Sequence, residues 1–126
     1  MVAPVIPGLN DAEIPAIVEA AARAGARSAH FIMLRLPHGV APLFEDWLER
    51  NRPERRKKVM SRVRDVRGGR ENDPRFHSRM KGSGPFAAGI RELFALSCRR
   101  AGLANESAPL SVAAFRRPDD GQLSLL

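Results

Sequence analysis

The sequence predicts an α/β fold: one βαβ unit over residues 1–38, a basic helical extension over 39–103 and a mostly irregular tail over 104–126. Three observations predict it. Two apolar runs of strand length, Val2 to Ile6 and Ser28 to Leu36, flank a segment whose apolar residues recur at helical spacing, and strand, helix, strand in that order forms a parallel pair with a right-handed crossover. Past Gly39 the apolar period becomes helical. From Ala104 the chain is rich in Ser, Pro, Ala and Asp with no sustained period.

Each element has its own signals. Pro4 suits a strand edge or end, and Pro7-Gly8 breaks the first strand. Asn10 followed by Glu13 reads as a capping box, with Ile14, Ile17, Val18 and Ala21 on the helix behind it. Pro15 lies just past the freely tolerated first position, so an irregular first turn is expected, and Gly25 stops the helix. Pro37 ends the second strand. Val40, Leu43, Phe44, Trp47 and Leu48 then share one helical face up to Pro53. The next helix, about Pro53 to Val66, has a thin stripe of Val59, Val63 and Val66 and stops at Gly68-Gly69. Asp73-Pro74 opens a short helix through Phe76 and Met80, and Pro85 opens a last one with Phe86, Ile90, Leu93 and Phe94 inward and Gly102 as its stop. A two-strand parallel pair is a poor free-standing sheet, so the chain is expected to be the end of something larger.

Composition narrows the function classes. The 126 residues carry 21 Lys+Arg against 14 Asp+Glu, a formal charge of +7 that favours polyanionic partners. All of the excess lies in Arg52 to Lys81, net +8, with the remainder at −1. There Arg55, Arg56, Lys57 and Lys58 are the candidate phosphate contacts to DNA, giving affinity without sequence readout. Aromatics for base stacking are scarce, with only Phe76 nearby. The plain alternative is a solvated helix pair. One cysteine, Cys98, excludes an internal disulfide and any Cys-rich cluster built from this chain alone, and fits a reducing, cytoplasmic setting. His30, His38 and His77 have no metal-ligand spacing. No run reaches the ~18 apolar residues of a membrane span, and the start lacks signal-peptide character.

Several stretches together resemble a known family. They are Val2-Ala3-Pro4-Val5-Ile6-Pro7-Gly8-Leu9-Asn10-Asp11, Leu34-Arg35-Leu36-Pro37-His38, Arg67-Gly68-Gly69, Arg79-Met80-Lys81-Gly82-Ser83-Gly84-Pro85, and Phe115-Arg116-Arg117-Pro118 through Gln122-Leu123-Ser124-Leu125. In this order they are similar to the carboxyl-terminal part of radical S-adenosylmethionine proteins of the bacterial branch near spore photoproduct lyase. The resemblance implies a partial (β/α) barrel whose earlier strands carry a CxxxCxxC loop for a [4Fe-4S] cluster, with reductive cleavage of S-adenosylmethionine to a 5′-deoxyadenosyl radical and a possible link to DNA repair. It places Pro7, Gly8, Arg35 and His38 on the wall of the adenosyl pocket. The cluster loop is absent here, so the chain is expected to be inactive alone, as a truncated product, a mis-set start or a split subunit lacking its amino-terminal half. The ending Gln122-Leu123-Ser124-Leu125-Leu126 resembles the bacterial sliding-clamp pentapeptide, with Leu126 where Phe is usual. Gln122 would set the register, and Leu123, Leu125 and Leu126 would supply the apolar contacts. The competing readings are a small basic module binding DNA and a clamp without catalysis, and a non-functional remnant.

Overall fold

Residue alternation along two short strands sets up two cores. The structure, a computed structural model, describes residues 1–76, 78–104 and 111–116. Strand β1 (Val2–Val5) pairs in parallel with β2 (Phe31–Met33), with Val2 opposite Phe31 and Val5 opposite Met33. Successive side chains point to opposite faces of a strand. Val5 and Met33 therefore enter one core, with Ile14, Val18, Ile90, Phe94 and Cys98, while Ile6 and Leu34 enter another, with Leu36, Leu48, Val59, Met60 and Val63.

Helix α1 (Ile14–Arg23) and helix α4 (Gly84–Arg100) pack on each other over the first core. Phe31 and Phe94 meet there in a tilted pair, 5.0 Å between centroids. Helices α2 (Val40–Asn51) and α3 (Pro53–Asp65) pack together over the second. Each fully buried aliphatic or aromatic side chain contributes roughly 1.5–3 kcal/mol relative to exposure. Both faces of the sheet are thereby occupied, which is what a parallel pair requires. The mixed helix and sheet content and the parallel pair follow the expectation.

Four local features depart from it. First, β1 uses three steps between its paired residues where β2 uses two, so the ladder is irregular at Ala3-Pro4; Pro4, with no N–H to offer, sits where a strand tolerates it. Second, the expected strand from Ser28 to Leu36 is only three residues long, with Ser28 in an isolated parallel bridge to Ala104. Main-chain groups at its carboxyl end bond a loop and a side chain instead of a strand, as described below.

Third, Asn10 does not close a capping box. Its side-chain Oδ1 accepts from Ile6 N–H at 2.7 Å and its Nδ2 donates to Pro4 O at 3.1 Å, so the amide completes the outer edge of β1. A 3-10 turn (Asp11–Glu13) precedes α1, and Pro15 falls in the first helical turn, where a missing N–H costs nothing. Fourth, the expected helix from Asp73 to Met80 is not formed in the described residues, because the Asp73 carboxylate turns back on Arg75 and Ser78. On α2 only Ala41 and Leu48 are buried; Val40, Leu43 and Trp47 of the same apolar stripe are exposed, because the second core lies under one edge of that stripe.

The glycines at helix ends behave as read. Gly25, Gly68, Gly69 and Gly102 all have positive φ. Among the described residues no helix is long and apolar enough to cross a membrane.

Asn10→Ala is expected to cost about 1–2 kcal/mol, from two lost hydrogen bonds at the strand edge. Glu13→Ala is expected to change stability by less than about 0.5 kcal/mol, since no cap depends on it. Urea denaturation of the two variants separates an edge role from a capping role.

Candidate functional site

Arg67 follows the carboxyl end of α3 and is 2% exposed, the largest fully buried side chain described. Its Nη1 donates to Arg79 O at 2.8 Å and Ser78 O at 3.3 Å. Its Nη2 donates to Met33 O at 3.2 Å and to Leu34 O. The four N–H groups of the fork are thus divided between the carboxyl end of β2 and the loop that precedes α4. Beside them Met33 N–H donates to Met80 O at 2.8 Å, and Ser83 N–H to Val66 O at 2.9 Å. Gly82 lies tight under Val66, where an added Cβ would come within 3.2 Å of Val66 O. Its φ of +71° independently favours glycine.

Around this clamp the charge is lopsided. Burial pushes the Arg67 guanidinium below its ordinary range; the carboxylate of Asp73 opposes the shift and the charge of Arg35 adds to it. Arginine stays protonated in such settings, so the cation is held mainly by neutral carbonyls. The Nε–H groups of Arg35, Arg67 and Arg79 are all buried without an acceptor among the described residues. An unsatisfied buried donor costs about 1–3 kcal/mol. Arg79 also lies over the ring of Phe76, 4.0 Å from its centroid.

Asp73 is the counterweight, and it is already engaged. Its Oδ1 accepts from Arg75 Nε at 2.9 Å and Arg75 N–H at 3.1 Å; its Oδ2 accepts from Arg75 Nη2 at 3.0 Å and from the Ser78 hydroxyl. The Arg75 hydrogen bonds, then that of Ser78, hold the carboxyl well below the usual carboxylate range. Arg67, Gly68, Arg70, Asp73 and Arg75 line a pocket of about 290 Å³. Sited past the carboxyl end of a parallel strand, where α/β folds collect ligand groups, this arrangement attracts anions.

The residues singled out from the sequence are dispersed. Pro7 is buried, and Gly8 sits beneath the stems of Lys58 and Arg62, close enough that an added Cβ would lie 3.6 Å from Arg62 Cγ. Arg35 is half-buried beside Arg67, whereas His38 is exposed in a left-handed turn ahead of α2, φ 48°. Arg55, Arg56, Lys57 and Lys58 occupy successive positions of α3, about 100° apart, and so do not share a face. Arg56 is committed to α2, bonding Glu45 at 2.7 Å and Glu49 at 3.2 Å. Arg55, Lys57 and Lys58 are exposed. Gln122, Leu123, Leu125 and Leu126 lie outside the described residues.

No sequence pattern marks Arg70, Asp73 or Arg75 as site residues, and Asp73 has the form of a helix cap. The usable signal is density: Arg67, Arg70, Arg75 and Arg79 follow one another closely around a Gly-Gly and an Asp-Pro. As for a cluster, Cys98 is a single thiol buried in the first core on α4, and burial pushes its pKa up. A [4Fe-4S] cluster needs a set of thiolates, so the residues present do not fit one. Among the described residues no group of three His, Cys, Asp or Glu could hold a metal ion. Comparison with protein-family models, curated proteins and solved structures gives no match.

Arg67→Ala removes the side-chain donor from Met33 O, Leu34 O and Arg79 O and is expected to destabilise the fold by at least about 3 kcal/mol in urea denaturation. Asp73 has a folded pKa below its unfolded value of about 3.9, so its contribution is present above that pH and is lost as pH falls below it. The stability gap between wild type and Asp73→Asn is therefore expected to be open at neutral pH and to close in strong acid, measured by paired urea melts at neutral pH and at the acid end.

Proposed function

We propose that this chain is the carboxyl-terminal part of a radical S-adenosylmethionine enzyme similar to spore photoproduct lyase. In this reading the carboxyl ends of β1 and β2 form one wall of the adenosyl pocket, with Arg35 and His38 beside it and the Pro7-Gly8 turn behind. The observation that supports it is spatial. Three of the stretches that carry the resemblance, Leu34-Arg35, Arg67-Gly68-Gly69 and Arg79-Met80, meet at the Arg67 guanidinium, the first of them more than thirty residues away in sequence.

Two further features agree. α2 exposes Leu43 (70%) and Trp47 (45%), the latter stacked on Phe44, an apolar strip of the kind that marks a contact surface. The parallel pair is also the unit from which (β/α) barrels are built. This chain supplies no thiolate set, so no cluster or radical step is assigned to its residues; its part is to bind and enclose.

The test is to express the chain with the coding region that precedes it, beside the 126-residue form, and reconstitute both anaerobically with iron and sulfide. The longer form is expected to show cluster absorbance and to release 5′-deoxyadenosine from S-adenosylmethionine, and the 126-residue form neither. A longer form with no cluster and no 5′-deoxyadenosine contradicts the reading and leaves the basic binding module.

A further inference from the structure

We propose that the pocket formed by Arg67, Gly68, Arg70 and Arg75 binds a phosphoryl group. The site stands apart from the family reading above and would hold in a binding module as well as in an enzyme.

Arg67 forms the inner wall. It is 2% exposed, its four Nη hydrogens are spent on neutral carbonyls, and its Nε–H has no acceptor among the described residues. This buried cation has no carboxylate in direct contact among the described residues. Asp73 lines the same pocket and acts on Arg67 through space, but its hydrogen bonds go to Arg75 and Ser78, so it fixes Arg75 in place and makes no ion pair with Arg67. With three arginines and one aspartate the lining is net +2. Arg70 is exposed and makes no hydrogen bond or ion pair among the described residues, and Arg75 directs only Nε and Nη2 to Asp73, leaving Nη1 uncommitted there.

Those outward donors are what a tetrahedral oxyanion accepts from, and planar guanidinium forks match its oxygen spacing better than ammonium groups do. The space, about 290 Å³, is many times the ~30 Å³ share of one water. Gly68 and Gly69 add no side chain to the rim, and at each a Cβ would meet nothing within 4 Å. The lysines of α3 are not part of this lining.

The phosphoryl group could belong to a nucleic-acid backbone or to a small phosphate ester, and one titration separates the sources. The full chain is titrated with inorganic phosphate, at ionic strength held constant with chloride, and its melting temperature and ¹⁵N–¹H spectrum are followed. Phosphate is expected to raise the melting temperature and to shift the amides of residues 67–75. Arg70→Ala, which touches no fold contact, is expected to weaken phosphate binding about tenfold, and Lys57→Ala to leave it within about twofold. A short DNA duplex that binds more tightly than phosphate, and competes with it, assigns the site to a backbone. A duplex that leaves bound phosphate in place assigns it to a small ester. No phosphate-dependent shift, or an equal one in wild type and Arg70→Ala, overturns the proposal.

Discussion

Arg67 places the four N–H groups of its fork against four main-chain carbonyls drawn from two segments more than thirty residues apart, and most of what is distinctive in this fold depends on that arrangement. A two-strand parallel sheet has two open edges, each a row of unpaired polar groups. Here neither edge at the carboxyl end is met by a strand. On the β1 side the Asn10 amide bonds Pro4 O and Ile6 N–H. On the β2 side Met80 O accepts the N–H of Met33, and Arg67 takes the carbonyls of Met33 and Leu34. A side-chain amide and a guanidinium complete the pairing that neighbouring strands would otherwise supply.

The same arginine joins the two cores. Val66, one residue earlier, is buried with Ile90 and Phe94 in the first, while Leu34, whose carbonyl it holds, packs on the second. The chain from α3 into α4 is thereby pinned against the end of β2, with Gly82 pressed under Val66. Holding a cation among carbonyls is costly, since desolvation disfavours the charge. The cost is offset by hydrogen bonding at every Nη position and by the nearby Asp73 carboxylate. What is left over is positive potential at the carboxyl end of a parallel strand, the property that gives the site its chemical interest.

The long-period features of the fold were legible in the sequence, and the reasons are physical. The existence of the two strands and of α1 to α4, and the glycine stops of α1, α3 and α4, follow from periodicity and backbone rules that act locally. Asn10 shows where that legibility stops: its spacing to Glu13 satisfies a capping box, but the unpaired edge of β1 competes for the same amide and wins. Asp73-Pro74 likewise has the form of a helix start, yet Arg75 and Ser78 offer the carboxylate more than a helix terminus does. Arg67 was visible only as part of a short motif, because its partners lie more than ten and more than thirty residues away and no pattern in a window reports them. The run Arg55 to Lys58 looked like one patch because it is contiguous, whereas helical geometry fans it out and Glu45 and Glu49 claim Arg56.

The carboxyl end of β2 rests on Arg67 standing in for a strand. Amide hydrogen exchange tests that through the Met33 and Leu34 N–H groups, whose bonds to Met80 O and Val5 O lie beside the carbonyls that Arg67 holds. In the wild-type chain the Met33 and Leu34 amides are expected to be protected nearly as strongly as those of Phe94 to Cys98 in α4. In Arg67→Lys, where one ammonium cannot span four carbonyls, protection at Met33 and Leu34 is expected to fall while the α4 amides keep theirs. Unchanged protection at Met33 and Leu34 in that variant would contradict the account.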